Sequence, residues 1–268
     1  KDLEPDGTGQ TYGGVAPGAR IISLKVLTAD GSGETSDVIA ALEWAIANRR
    51  ARNIRIVTVA LGHPVFESYK TDPLCKAVQK AINAGMVVVV SGGNFGRITI
   101  DGRVVTVYGG ISSPGNLPAA ITVGAMTTHD SLRSRDWDVA TYSSRGPTRI
   151  DHLIKPDLLA PGNKIRSLLA PGARIAADHP ELVVGYGTGA TLELSGTSMS
   201  AVVAGAVALL LESQPKAEPE SVRAGLQAGA EQMPGLGLIR EGAGSLSVVG
   251  SLFLAARYVE DMSAVAGA

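Results

Sequence analysis

A serine attacks a carbonyl only where a base takes its proton and a donor stabilises the negative oxygen that the attack creates. Ser198 is placed for such chemistry. It stands in "LSGTSMSAVVAGAVALLL", residues 194–211, where small hydroxyl residues give way to a long apolar run with helical character. A hydroxyl at the mouth of that helix would face the positive end of a helix dipole. Asn94 is the second candidate. It leaves the apolar run "VVVVSGGNFG" through Gly92 and Gly93, which let the backbone approach a ligand closely, and its amide is an N–H donor. Each residue also has a plain structural reading, Ser198 as a helix cap and Asn94 as a turn residue. Other chemistries fit less well. Neither "DGTGQTYGG" nor "GYGTGA" has the spacing or preceding strand of a phosphate loop. The G-x-S-x-G esterase elbow fails because Ser200 occupies the place of its second glycine.

The elements that must position these residues read as an α/β pattern. "ARIISLKVL" (19–27) has the length of a buried strand, and "ETSDVIAALEWAIANRR" (34–50) has helical spacing with Thr35 or Ser36 as N-cap. "IRIVTVALG" (54–62) is a second strand. "DPLCKAVQKAINAG" (72–85) is a helix with Pro73 near its start and Gly85 past its end, and "MVVVVSGG" (86–93) is a third strand. Short strands are expected at 119–125, 139–144 and 164–170, and helices at Thr197–Glu212, Glu220–Ala230 and Val248–Tyr258. Strands alternating with helices predict a three-layer α/β domain, a mostly parallel sheet flanked by helices. In such sheets function collects at the C-terminal strand ends, where Asn94 and Ser198 lie. No repeat or long linker divides the 268 residues, so a single domain over 1–268 is expected.

Composition narrows the function classes. The chain is 45% hydrophobic, 18% charged and of net charge −1, with no basic run to track phosphates or a membrane surface. Nucleic-acid and membrane partners are therefore not expected, and no apolar run reaches the roughly 18 residues of a membrane span. Cys75 is the one cysteine; it excludes an internal disulfide and a cysteine-rich metal site and reads as a buried structural thiol.

Seven segments in order resemble landmarks of the subtilisin-like serine peptidases, the subtilases. They are "GVAPGARIISLKVL", "VVVVSGGNFG", "ISSPGNLPAAITVGA", "YSSRGPT", "KPDLLAPG", "LSGTSMSA" and "EGAGSL", and they cover nearly the whole chain. The resemblance implies that Ser198 is the nucleophile and Asn94 the oxyanion donor, together with the Ser198 backbone N–H. It implies that Ala60, Leu61 and Gly62, and Ser91, Gly92 and Gly93, flank the substrate side chain before the scissile bond. It further implies a peptide or protein substrate, acyl transfer without a metal in the mechanism, and secretion. Calcium is common in the family, but no Asp-rich loop locates a site.

Two departures accompany the resemblance. The family's Asp and His motifs precede "GVAPGA", and none of His63, His129, His152 and His179 has the His-Gly-Thr-His context. His63 is the least distant substitute, with Pro64 holding it extended; Asp6 follows no apolar strand. In the family's sheet the Asp-bearing strand lies between the strands equivalent to 19–27 and 54–62, so its absence would leave two unpaired edges. The expectation is an N-terminal fragment carrying the Asp and His; the alternative is an inactive peptide- or partner-binding protein of the same fold. The second departure is a proline missing after Ala201. One deleted residue rotates the following helix by about 100° and would turn its apolar face from the core.

Overall fold

A computed structural model describes residues 13–200 and 202–254. Asp6 and the expected helix beyond residue 254 lie outside them. The described chain runs through α1 (Thr35–Asn48), β1 (Ile56–Val59), α2 (Pro73–Asn83), β2 (Val87–Ser91), β3 (Arg97–Ile100), β4 (Arg103–Thr106), β5 (Ile121–Thr127), β6 (Asp138–Val139), β7 (Leu158–Pro161) and β8 (Ile165–Leu168). It continues with α3 (Arg174–Asp178), β9 (Val183–Val184), β10 (Thr191–Leu194), α4 (Thr197–Ser200), α5 (Val203–Ser213), α6 (Pro219–Gly229) and α7 (Leu238–Glu241), and residues 248–254 are helical.

The principal sheet has β1, β2, β5 and β7 side by side and parallel, with the two-residue β6 antiparallel to the end of β5. Its layers follow from the two-residue period of a strand. Val88 and Val90 of β2 face Val38 and Leu42 of α1 and Leu74, Val78 and Ala81 of α2. Val87 and Val89 face the other way, onto Val203, Ala206, Val207 and Leu210 of α5 and Val222 and Leu226 of α6. β2 is buried along its whole length, which explains its unbroken valine run. A mostly parallel sheet between two helical layers is the fold that the alternating pattern predicted.

Several elements differ from expectation. Residues 19–27 form no strand, and Ile21 there is 89% exposed. A strand exists through its ladder, and among the described residues nothing pairs with this stretch or with the outer edge of β1. The apolar run therefore stays unpaired among the described residues. Of 139–144 only Val139 is in a strand, because the chain turns at Thr141 to bring Ser143 and Ser144 under the site. β8 forms as expected but belongs to a separate antiparallel sheet of order β8–β10–β9. α1 is capped by neither Thr35 nor Ser36: Glu34 holds the cap position and makes no side-chain capping bond. α2 has the better start, with Asp72 accepting from the Leu74 and Cys75 N–H groups, and Gly85 follows at φ 85°. The β3–β4 hairpin was not predicted; its cue is Asp101-Gly102, both at positive φ, between two segments that each carry β-branched residues.

The expected helix from Thr197 to Glu212 is two helices. At Val202 the chain tightens: the Val202 N–H donates to Met199 O (3.2 Å) and the Gly205 N–H to Val202 O (2.8 Å), both three residues back. Ala201 itself lies outside the described residues. Val203, Ala206, Val207 and Leu210 of α5 are buried in the core. The expected loss of the apolar face therefore does not occur.

Two buried polar groups tie the layers. Cys75 is fully buried, its Sγ 3.3 Å from Asn116 Oδ1, and burial pushes the thiol up to about 12. Asp157, directly before β7, accepts from the Thr122 N–H (2.7 Å) and from Lys155 Nζ (2.5 Å), with both side chains nearly inaccessible. Lys155 also donates to Ala120 O at 2.9 Å.

Candidate active site

Two chain segments that leave neighbouring parallel strands lie beside Ser198 and Thr197. Ala60, Leu61 and Gly62 follow β1; Ser91 ends β2, and Gly92 and Gly93 continue it. Their backbones are held by neighbours. The His63 N–H donates to Ser113 O (3.1 Å) and the Ser113 N–H to His63 O (2.9 Å), while the Gly92 N–H donates to Val123 O (2.9 Å). The glycines are dictated by space. A Cβ on Gly62 would lie 2.3 Å from Ser113 O, and one on Gly93, at φ 101°, within 3 Å of the Ser112 and Ser144 hydroxyls.

Ser198 reaches this edge from the opposite side of the sheet on α4, a single helical turn. Gly196 anchors the turn by donating to Gly162 O (2.9 Å), and the Ser200 hydroxyl donates to Ala160 O (3.1 Å). Because α4 is one turn long, local N–H groups rather than a long helix dipole act at Ser198.

Asn94 and Thr197 lock the two halves together. The Thr197 N–H and hydroxyl both donate to Asn94 Oδ1, at 2.9 and 3.0 Å, and the Gly93 N–H donates to Thr197 Oγ1 at 3.1 Å. An N–H can only donate, so the amide end facing Thr197 must be the oxygen, and Nδ2 is turned outward. A Cβ placed on Gly196 would lie 3.4 Å from Asn94 Nδ2 and 3.8 Å from the Ser198 nitrogen. Two N–H donors thus flank the bare face of Gly196, next to Ser198. Neither donates to another described residue. Such a pair can hold one oxygen that carries negative charge.

The hydroxyl of Ser198 is occupied differently. It donates to Ala60 O at 2.7 Å. No histidine takes it: His63 Nδ1 lies 2.8 Å from Pro64 O and its ring stacks on Phe66, whereas His129, His152 and His179 are exposed. The structure therefore brings together Ser198, Asn94, Ala60 and Gly93, and leaves Ser198 without a base among the described residues. Thr197 was not singled out from the sequence. The signal was available in a threonine directly before the serine, but its partner is 103 residues away. Among the described residues no cluster of three or more His, Cys, Asp or Glu side chains is arranged to hold a metal, and no helix is long and apolar enough to cross a membrane.

The sequence pattern of the subtilase family matches residues 4–244. Among curated relatives, serine protease AprX of Bacillus subtilis (strain 168) is 38% identical over 229 residues, covering 82% of this chain and 48% of that protein. Subtilisin E of the same strain is 33% identical over 218 residues (81% and 45%), and the extracellular serine proteinase of Thermus sp. (strain Rt41A) is 35% identical over 219 residues (81% and 42%). The chain thus spans about half the length of these relatives. Among solved structures, fervidolysin from Fervidobacterium pennivorans, described as a keratinolytic enzyme related to subtilisin, superposes with a TM-score of 0.67 at 25% identity, over 90% of this chain and 33% of that one.

Proposed function

This chain belongs to the subtilase family, and on that premise we propose that it is the Ser198-bearing part of a serine endopeptidase that cleaves peptide bonds through an acyl-enzyme. The observation that carries the reading is the orientation of Asn94. With its oxygen committed to Thr197, Asn94 Nδ2 joins the Ser198 N–H as a prearranged donor pair beside the nucleophile. In the reaction Ser198 Oγ loses its proton to a base and attacks the scissile carbonyl. The carbonyl oxygen becomes an anion on the two donors, the tetrahedral species expels the amine with that proton, and water then releases the acyl group. None of these steps uses a metal, and no calcium position is assigned. An extended peptide or protein substrate would lie along the Ala60–Gly62 and Ser91–Gly93 walls by main-chain hydrogen bonding.

The base and its orienting carboxylate come from a segment outside the described residues. Its dock is the free edge of β1 together with the unpaired stretch 19–27, where Ile21, Ile22, Leu24 and Leu27 are exposed. Until that segment is in place the Ser198 hydroxyl donates to the Ala60 carbonyl, which can accept a hydrogen bond but cannot serve as a base. The same contact favours the second reading, a peptide-binding protein that does not cut. Secretion is proposed because one relative is an extracellular proteinase.

Casein digestion by the full-length protein separates the readings. Acid-soluble peptides are expected to appear, and Ser198→Ala should reduce their release by at least about 10³-fold. Casein binding without any cleavage by the unmutated protein would favour the non-cutting reading, and unchanged cleavage by Ser198→Ala would exclude this serine as nucleophile.

A further inference from the structure

The root of the β3–β4 hairpin carries more positive charge than the described residues neutralise. The Gly146 N–H donates to Ile239 O at 2.8 Å, which clamps the loop bearing Arg145 against α7, bearing Arg240. The two arginines therefore flank one backbone hydrogen bond. Arg145 is only 4% exposed; its Nη1 donates to Gly96 O at 3.1 Å, but its Nε is buried with no acceptor among the described residues. Arg240 Nε is likewise buried without an acceptor, and Arg240 Nη2 is 3.5 Å from Asp138 Oδ1, on a carboxylate that is 55% exposed. Burial lowers the Arg145 pKa first; the Arg240 charge and, more weakly, Arg97 on β3 lower it further. Tyr108 and the Asp138 carboxylate oppose this.

Desolvated donors without acceptors are costly, and like charges held together add to that cost. A small anion with several acceptor oxygens, which guanidinium N–H groups bind in a fork, offsets the like charge from the accessible edge of Arg240. We propose that Arg145, Arg240 and Arg97 form a binding site for an oxyanion, phosphate or carboxylate, at the root of the β3–β4 hairpin. Gly96, whose carbonyl Arg145 holds, is two residues from Asn94, so an anion here also restrains the segment that presents the Asn94 amide. The proposal does not depend on peptide cleavage, because its readout is stability.

The test is thermal unfolding of the full-length protein carrying Ser198→Ala, so that self-digestion does not enter. Inorganic phosphate is titrated against chloride at constant ionic strength. A saturable rise in Tm of about 2–4 °C is expected at tenfold excess over the dissociation constant. The rise should vanish in Arg240→Gln, chosen because Arg240 is more exposed than Arg145. Acetate and a terminally blocked Asp-containing tetrapeptide form further arms. A response to either free ion assigns a free anion; a response to the peptide alone assigns an acidic side chain. No saturable rise in any arm, an equal rise in chloride, or an equal rise in Arg240→Gln would overturn the proposal.

Discussion

Asp157→Ala is expected to destabilise the protein by about 3–5 kcal/mol, measured as a fall in the urea midpoint at unchanged slope. Asp157 is almost completely buried and accepts from the Thr122 N–H and Lys155 Nζ on one oxygen, with Gln227 Nε2 at 3.2 Å from the other. Alanine would leave Lys155, itself 2% exposed, with only the Ala120 carbonyl. An ammonium in that setting must either shed its proton or draw water into the layer between sheet and helices, and both cost free energy. The loss comes from the orphaned charge rather than from a strong bond removed. The double variant Lys155→Met/Asp157→Leu should therefore recover much of the stability. A loss below about 1 kcal/mol for Asp157→Ala would show that Lys155 is solvated and the pair incidental.

Asn94→Asp is expected to lower kcat for peptide cleavage by at least about 10²–10³-fold with little change in KM, the range for removing one oxyanion-hole donor. Aspartate keeps an oxygen to accept from the Thr197 N–H and hydroxyl, so the corner bearing Ser198 stays in place. What is lost is Nδ2 as a donor; an oxygen stands where the developing anion needs an N–H. An effect confined to KM would mean that Asn94 positions substrate and does not stabilise charge.

The layers were legible because burial imposes periods. The valine run of β2 and the apolar spacing of α2 each declare a buried strand and a half-buried helix, and both formed within two residues of the expected bounds. Residues 19–27 misled for the same reason. Their apolar character encodes a strand, but pairing is a property of two segments, and the described chain supplies one. The site was legible in part. Ser198 and Asn94 were identifiable by residue type and neighbours, and they meet at the expected sheet edge. Thr197 was not, since its role is a contact between segments 103 residues apart, and no local period records it. The interruption at Val202 was equally hidden, because a hydrophobic pattern does not show where a helix tightens into bonds three residues back.

The central claim is that Ser198 is a nucleophile beside a prearranged pair of N–H donors. A fluorophosphonate probes it most directly, because its reaction requires an attacking serine and a place for the phosphoryl oxygen. The full-length protein is labelled, digested, and the adduct mapped by mass spectrometry. The account predicts one adduct per chain, on Ser198, formed at least about 10²-fold more slowly in Asn94→Asp. An adduct on another residue, or no adduct on a protein shown to be folded, would contradict it.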